Sequence, residues 1–226
     1  MKIAVLFSGG KDSCLALYKS KKMHEVVCLI SVISKNKESY MFHTPNIELT
    51  QMQAEAIGLP LIQQETEGKK EEELEDLKKA IEKAKEKFKI EGVTTGAIKS
   101  IYQASRIEKI CKELNLSCLN PLWSIDQIQL LNEIVKNNFK VIISGIFAYP
   151  LEKDLLGKII NKEIIKKLKE MQEKYHISPS GEGGELETTV IDAPFFKKKI
   201  EILDYDISYQ NNSGVFEIKN ARLVEK

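Results

Sequence analysis

Two short stretches of this chain hold residue types that can do chemistry together. The first, Ser8-Gly9-Gly10-Lys11-Asp12-Ser13, follows the apolar run from Lys2 to Phe7. Adjacent glycines let a backbone approach an anion closely, and the start of a following helix offers unpaired N–H groups with partial positive charge. The Ser8 and Ser13 hydroxyls and the Lys11 ammonium would complete a cradle for phosphate, which is what a nucleotide site needs. The second stretch, Gly181-Glu182-Gly183-Gly184-Glu185-Leu186-Glu187-Thr188, sets three glutamates among glycines. Such a run makes a poor helical face, and grouped carboxylates repel unless a cation joins them. Either Glu182 or Glu185 could act as a general base, a role that calls for a carboxylate of raised pKa.

Those residues need elements to hold them. Lys2 to Phe7 reads as a strand buried on both faces, with a helix after it from Lys11 to Lys22 and a second strand from Glu25 to Ile33. Asn46 to Ile57 reads as a helix stopped by Gly58 and Pro60, and Leu61 to Gln63 as a short strand. Glu71 to Phe88 is a charged helix whose Leu74, Leu77, Ile81, Ala84 and Phe88 form one apolar stripe, as in a surface helix laid on a sheet. Val93 to Ala97, Leu116 to Leu119 and Lys140 to Ile146 continue the strands, with helices Ile101 to Leu114 and Asp126 to Asn137 between them. This alternation implies an α/β fold with parallel strands and helices on both faces.

Beyond about residue 147 the pattern changes. A helix from Lys162 to Tyr175 precedes the Gly-rich stretch, and strands Glu187 to Asp192, Ile200 to Tyr209 and Gly214 to Val224 follow it. The last two should pair as a hairpin across Gln210-Asn211-Asn212-Ser213. Two domains are expected: a nucleotide-binding α/β domain over residues 1–125 and a smaller α+β domain over 126–226 that carries the glutamate loop.

The first loop fits neither common nucleotide signature. A Walker A motif would require Gly where Val5 stands and Ser or Thr where Asp12 stands, and the dinucleotide fingerprint requires G-x-G rather than adjacent glycines. The string instead resembles the pyrophosphate loop, SGGxDS, of the N-type ATP pyrophosphatase superfamily, which contains GMP synthetase, asparagine synthetase and the tRNA thiolation enzymes. Met41 to Asn46, Gly96-Ala97-Ile98 with Tyr102, Gln103 and Arg106, Asn120 to Trp123, and above all Gly181 to Thr188 narrow this. Together they resemble the diphthine ammonia ligase family over essentially the whole chain. Its members read EGGE, then an aromatic, then Glu and Ser or Thr; Leu186 stands in the aromatic's place here.

The resemblance implies a parallel-sheet domain of the adenine nucleotide alpha hydrolase-like (HUP) kind. It also implies amidation of diphthine, the modified histidine of translation elongation factor 2, with ATP and ammonium consumed and AMP and pyrophosphate released. On that reading Ser8, Gly9, Gly10, Lys11, Asp12, Ser13, His43 and Gly96 bind ATP, and Asp12 holds Mg²⁺ or orients the loop. Tyr102, Gln103, Arg106, Gly183, Gly184 and Thr188 meet the substrate, and Lys11, Asp12, Glu182, Glu185 and Glu187 carry the catalysis. The glutamates would hold ammonium, magnesium pyrophosphate or the trimethylammonium group that diphthine carries. Trp123 or Tyr149 could give that group cation–π contact.

Composition bears on the alternatives. With 34 Lys+Arg against 33 Asp+Glu, the net charge of +1 lacks the basic surplus typical of chains that live on nucleic acid. Cys14, Cys28, Cys111 and Cys118 form no C-x-x-C pair, as in a reducing compartment, and no apolar stretch reaches the roughly 20 residues that span a bilayer. A cytoplasmic protein with a protein-borne substrate, no membrane contact and no nucleic-acid partner is expected; a homodimer is compatible with that. The competing readings are a pyrophosphatase-type enzyme that thiolates or amidates tRNA, which would need catalytic sulfur, and a non-enzymatic ATP-binding module. Cys14, in the first turn of the loop's helix, is expected to pack against the sheet.

Overall fold

A computed structural model describes residues 1–36, 45–69 and 72–226 of the chain. These form two compact units, Met1–Trp123 and Ser124–Lys226.

The first unit is built on five strands: β1 (Lys2–Leu6), β2 (Glu25–Ser34), β3 (Leu61–Thr66), β4 (Gly92–Thr94) and β5 (Ser117–Leu119). They lie in the order β3-β2-β1-β4-β5, and every pairing is parallel. Helices α1 (Lys11–Ser20), α2 (Thr50–Ile57), α3 (Glu72–Phe88) and α4 (Ile101–Glu113) connect them. This is the parallel α/β sheet, with helices on both faces, that the alternating pattern called for. Side chains alternate across a sheet, so Ala4, Cys28, Ile30 and Val93 share a face, where Leu77, Ala80, Ile81 and Ala84 of α3 and Ile107, Ile110 and Cys111 of α4 cover them. Ile3, Val5 and Leu29 point the other way and are equally buried, and α1 packs on β1, β2 and β4. The stripe on α3 is thus one helix face on a sheet.

The chain moves outward from β1 through β2 to β3, then returns to the other side of β1 for β4 and β5. A parallel sheet opens a crevice where the strand order reverses, at the carboxyl ends of its strands. Here that crevice lies between β1 and β4, whose Val5 and Thr94 are paired. Ser8 to Ser13 leaves one lip and Thr95 to Ala97 the other. The expected strand Val93 to Ala97 stops at Thr94, which frees those residues as a loop. The expected helix from Asn46 is also shorter: Asn46 is left-handed, a 3-10 turn spans Ile47–Leu49, and α2 begins at Thr50 and closes at Gly58.

The second unit contains α5 (Gln127–Lys136), β6 (Lys140–Ile146), α6 (Lys162–Tyr175), β7 (Leu186–Asp192), β8 (Lys199–Gln210) and β9 (Ser213–Val224). Its strands form a separate sheet, β7-β6-β9-β8, with antiparallel pairings throughout. Here the structure corrects one expectation. Strand β6 was read as continuing the parallel series, yet it sits between β7 and β9. Six of its seven residues are buried, so its sequence is a continuous apolar run, and such a run does not reveal the direction of its partners. The β8–β9 hairpin turns at Asn211 and Asn212, both left-handed as a two-residue primed turn requires.

Among the described residues no helix is long and apolar enough to cross a membrane. Leu77, on the buried face of α3 at 1% exposure, is a sharp test of the first unit's packing. Leu77→Ala should cost about 2–5 kcal/mol in urea denaturation through the cavity it leaves, with an unchanged slope; a loss below about 0.5 kcal/mol would show that α3 does not seal this core.

Candidate active-site loops

The first loop is tied down by its own polar atoms. Ser8 Oγ donates to Ser13 Oγ at 3.3 Å, and Ser13 Oγ donates to the Gly10 carbonyl at 3.1 Å. Gly9 turns at φ 77°, and its carbonyl accepts a 2.9 Å hydrogen bond from Nε2 of Gln53, a wholly buried residue of α2. Gly10 is the N-cap of α1 and provides no side-chain cap, whereas α4, α5 and α6 are capped by Ser100, Asp126 and Asn161. The first-turn N–H groups of α1 therefore keep their capacity for an anion.

From the other lip, Gly96 presses its backbone on the start of α1. A Cβ there would lie 3.0 Å from both the Asp12 carbonyl carbon and the Ser13 nitrogen, tighter than nine in ten such contacts, so backbone would have to give way. This segment is braced by Thr95, whose Oγ1 donates to Asn120 Oδ1 at 2.6 Å and accepts from the Ala97 nitrogen at 3.1 Å.

Lys11 and Asp12 hold the loop's charge. Lys11 Nζ lies 2.9 Å from Asp12 Oδ2; the lysine side chain is 3% exposed and the aspartate 29%. Asp12 Oδ1 is itself buried and has no hydrogen-bond partner. A buried carboxylate oxygen without a partner is a hard donor, suited to Mg²⁺. Open backbone donors, a buried ammonium and an orphaned carboxylate oxygen fit a magnesium-bound polyphosphate.

The second loop is a pair of turns leading into β7. Gly181 donates to the Ser178 carbonyl and Gly184 to the Gly181 carbonyl, each at 2.9 Å, with both glycines left-handed. Glu185 then folds back. Its Oε1 accepts from the Ser178 nitrogen at 3.1 Å, while Oε2 is buried without a partner. The fold-back needs a glycine at 183, because a Cβ there would come within 2.6 Å of both Glu185 carboxylate oxygens. Ser180 anchors the first turn by donating through N and Oγ to Gln127 Oε1, at 3.1 and 2.8 Å. Glu182 and Glu187 are half-buried, and Glu187 lies opposite Gly145 of β6. Leu186 is 2% exposed, so the position where the family carries an aromatic is a core position here.

The predicted residues thus fall into separate groups. Ser8 to Ser13 and Gly96 come together in the first unit, and Gly181 to Thr188 in the second, although Thr188 is buried within β7. Gln103 lies in the first turn of α4, its nitrogen bonded to the Ser100 cap. The Arg106 guanidinium stacks 3.5 Å from the Tyr102 ring centroid and lines a groove of about 660 Å³ between α3 and α4. His43 lies outside the described residues. Gln53 and Gln127 were not anticipated. The one legible hint of Gln53 is a polar residue in the buried stripe Thr50, Gln53, Ala54, Ile57 of a short helix.

The cysteines differ in character. Cys14 is fully buried, and desolvation pushes its thiol well up. Cys118 is held down, first by a hydrogen bond from Cys111, whose own thiol is raised by the same contact; Asn120 assists.

The N-terminal domain of diphthamide synthase matches residues 1–118, and its C-terminal domain matches residues 126–224. The chain belongs to the diphthamide synthase family. The diphthine–ammonia ligase of Mus musculus is 39% identical, over 96% of this chain and 88% of its own. Those of Bos taurus and Homo sapiens are 38% and 34% identical, over 100% of this chain and 91% of theirs. Among solved structures, a predicted subunit of tRNA methyltransferase from Methanocaldococcus jannaschii overlaps 86% of this chain and 98% of its own, at 17% identity and a TM-score of 0.44, too remote to bear on function.

The thiol shifts make a prediction for this diphthamide synthase family member. Iodoacetamide should label Cys118 first, with a rate that climbs at lower pH than for an ordinary thiol, while Cys14 stays unlabelled in the native state. Peptide mass mapping reads both sites; equal labelling of Cys14 would refute its inertness.

Proposed function

We propose that this protein converts diphthine on translation elongation factor 2 to diphthamide, forming a C–N bond at the expense of ATP. The observation that carries the reading is the pairing, within one chain of this family, of an anion-ready loop at Lys11 and Asp12 with a glutamate loop whose Glu185 keeps one oxygen unpartnered.

A carboxylate is a poor acyl donor, since an incoming amine meets negative charge and no leaving group. Transfer of AMP to the diphthine carboxylate cures this, with pyrophosphate leaving from the α-phosphorus. In that step the α1 N-terminus, Ser8, Ser13 and Lys11 hold the β- and γ-phosphates and take up the charge that grows on the leaving pyrophosphate. Asp12 Oδ1 would hold Mg²⁺, which supplies further neutralisation of that charge. Gln53, through Gly9, and Gly96, through the start of α1, keep the loop in position.

Amide formation needs ammonia, whereas ammonium predominates near neutral pH. Glu185 binds ammonium through its open oxygen and takes one proton. The lone pair then attacks the acyl carbon, and the tetrahedral centre, after its nitrogen loses a proton, collapses to the amide by expelling AMP. Glu182 and Glu187 add negative potential that draws the cation in. Gln127 holds the turn through Ser180, so that Glu185 stays aimed. The site would work in the cytoplasm on a protein-borne substrate. Sulfur transfer to tRNA finds no support at Cys14, whose burial raises its thiol and closes off access.

The test is AMP release from ATP and ammonium with and without diphthine-bearing elongation factor. AMP that appears only with the factor supports the reading, and AMP that depends on tRNA refutes it. Lys11→Ala should lower the rate about 10²–10³-fold as an electrostatic stabiliser of the leaving group. Glu185→Gln should cut amide formation about 10²–10⁴-fold with ATP affinity held; a full ligase rate in this variant would remove Glu185 from its role.

A further inference from the structure

Outside the two loops, the second unit exposes aromatic rings in one neighbourhood. Phe147, Tyr149 and Tyr175 are 38%, 62% and 36% exposed. Tyr149 and Tyr175 meet edge to face, with ring centroids 5.3 Å apart and planes at 81°. The edge-to-face contact holds the two rings against each other; the Tyr149 phenol is raised by its neighbour Tyr175, and the Tyr175 phenol is lowered, first by Lys174. The Lys174 ammonium also stands 5.0 Å from the Tyr175 ring centroid. This ring already has a cation beside it, on a side chain flexible enough to yield to another.

Phe147 and Tyr175 connect to the glutamate loop through the backbone. The Phe147 nitrogen donates to the Glu185 carbonyl at 2.9 Å. The Phe147 ring lies over Gly145, where an added Cβ would be 2.7 Å from the ring and 3.1 Å from Glu187 Cβ. Tyr175 ends α6, and the chain passes directly through His176 and Ile177 to Ser178, whose nitrogen holds Glu185. Exposed aromatic faces and carboxylates suit a cation that has no N–H to donate. Ring faces attract it through their quadrupole, and it loses no hydrogen bonds by leaving water.

We propose that Tyr149 and Tyr175, flanked by Phe147, form a subsite for a quaternary ammonium group. On the substrate reading above, on which this part rests, the group is the trimethylammonium of diphthine. In diphthine the quaternary nitrogen and the reacting carboxyl share one carbon, so whatever grips the first must lie beside the amidation chemistry. Phe147, whose nitrogen bonds the Glu185 carbonyl, and Tyr175, three residues before the Ser178 that holds the Glu185 carboxylate, tie the rings to that part of the chain. The subsite also divides the labour between two cations: ammonium goes to the carboxylate oxygen that can accept its N–H, and the methylated nitrogen goes to the rings. An unmethylated amine, which needs hydrogen-bond acceptors, would be disfavoured on the rings, so the subsite selects a fully methylated substrate.

Two experiments test this, and they fail separately. The first uses no turnover: the native protein, with ¹³C-labelled tyrosine rings assigned through Tyr149→Phe and Tyr175→Phe, is titrated with choline and with 3,3-dimethyl-1-butanol, its neutral isostere. Saturable shifts of both rings with choline, weaker or absent with the isostere, support the subsite. An equal response to both probes, or no saturable shift, overturns it. The second measures amidation of the diphthine-bearing factor. Tyr149→Leu and Tyr175→Leu should each raise KM about tenfold with a smaller effect on kcat, and Tyr149→Phe, which keeps the ring, should restore most of that loss. An unchanged KM in both leucine variants overturns the assignment to diphthine. If the wild-type protein amidates nothing, the substrate reading fails while the choline titration still judges the subsite.

Discussion

The nucleotide half of the molecule depends on one close approach, that of the Gly96 backbone to the first turn of α1. A single Cβ at position 96 would stand 3.0 Å from Asp12 and Ser13 backbone atoms, a contact tighter than nine in ten, so a side chain there would push the two lips of the crevice apart by a few tenths of an ångström. The approach follows from topology. Strands β1 and β4 are neighbours because the chain reverses its direction of travel across the sheet there, and parallel strands deliver their loops to the same end. The Thr95–Asn120 bond and the Gln53–Gly9 bond then fix the two lips from behind. None of these contacts touches a phosphate, yet each decides where the α1 N–H groups and Lys11 stand.

The glutamate loop solves a different problem with similar means. On the proposed mechanism, a carboxylate that takes a proton from ammonium needs one oxygen that the protein leaves unsatisfied. Glu185 spends one oxygen on the Ser178 nitrogen and leaves the other buried and unpartnered. An unmet buried acceptor costs about 1–3 kcal/mol, and the turn that imposes it must be stable enough to carry that cost. The paired turns at Gly181 and Gly184, the double bond from Ser180 to Gln127 and the β6–β7 ladder supply the rigidity.

Local features of the fold were plain in the sequence, and distant ones were not. The apolar run before Ser8, the stripe along α3 and the Asn-Asn turn of the last hairpin each obey a rule that operates within a few residues. Strand β6 escaped because burial on both faces erases alternation, and with it any sign of whether neighbours run parallel or antiparallel. Gln53 and Gln127 escaped for a related reason. Their partners Gly9 and Ser180 are 44 and 53 residues away, and a glutamine that braces a distant backbone has no local signature. The cradle residues were therefore legible and their supports were not. The same asymmetry separates Tyr149, singled out as an aromatic, from Tyr175, which only the fold brings to it.

The near-neutral balance of 34 basic and 33 acidic side chains says little about the chemistry, because almost all of them are solvated. Among the described residues only Lys11 and Glu73 are buried charged residues, and only Lys11 lies in a candidate loop. A surface charge is screened by water and salt, whereas an ammonium taken out of water keeps its full field over a few ångströms. Its burial is tolerable because Asp12 lies against it, and Asp12 is in turn only half satisfied. The pair is thus incomplete at one atom, Asp12 Oδ1, which is buried without a hydrogen-bond partner. On the proposed mechanism, Mg²⁺ at that oxygen would bring a polyphosphate against Lys11 and the start of α1.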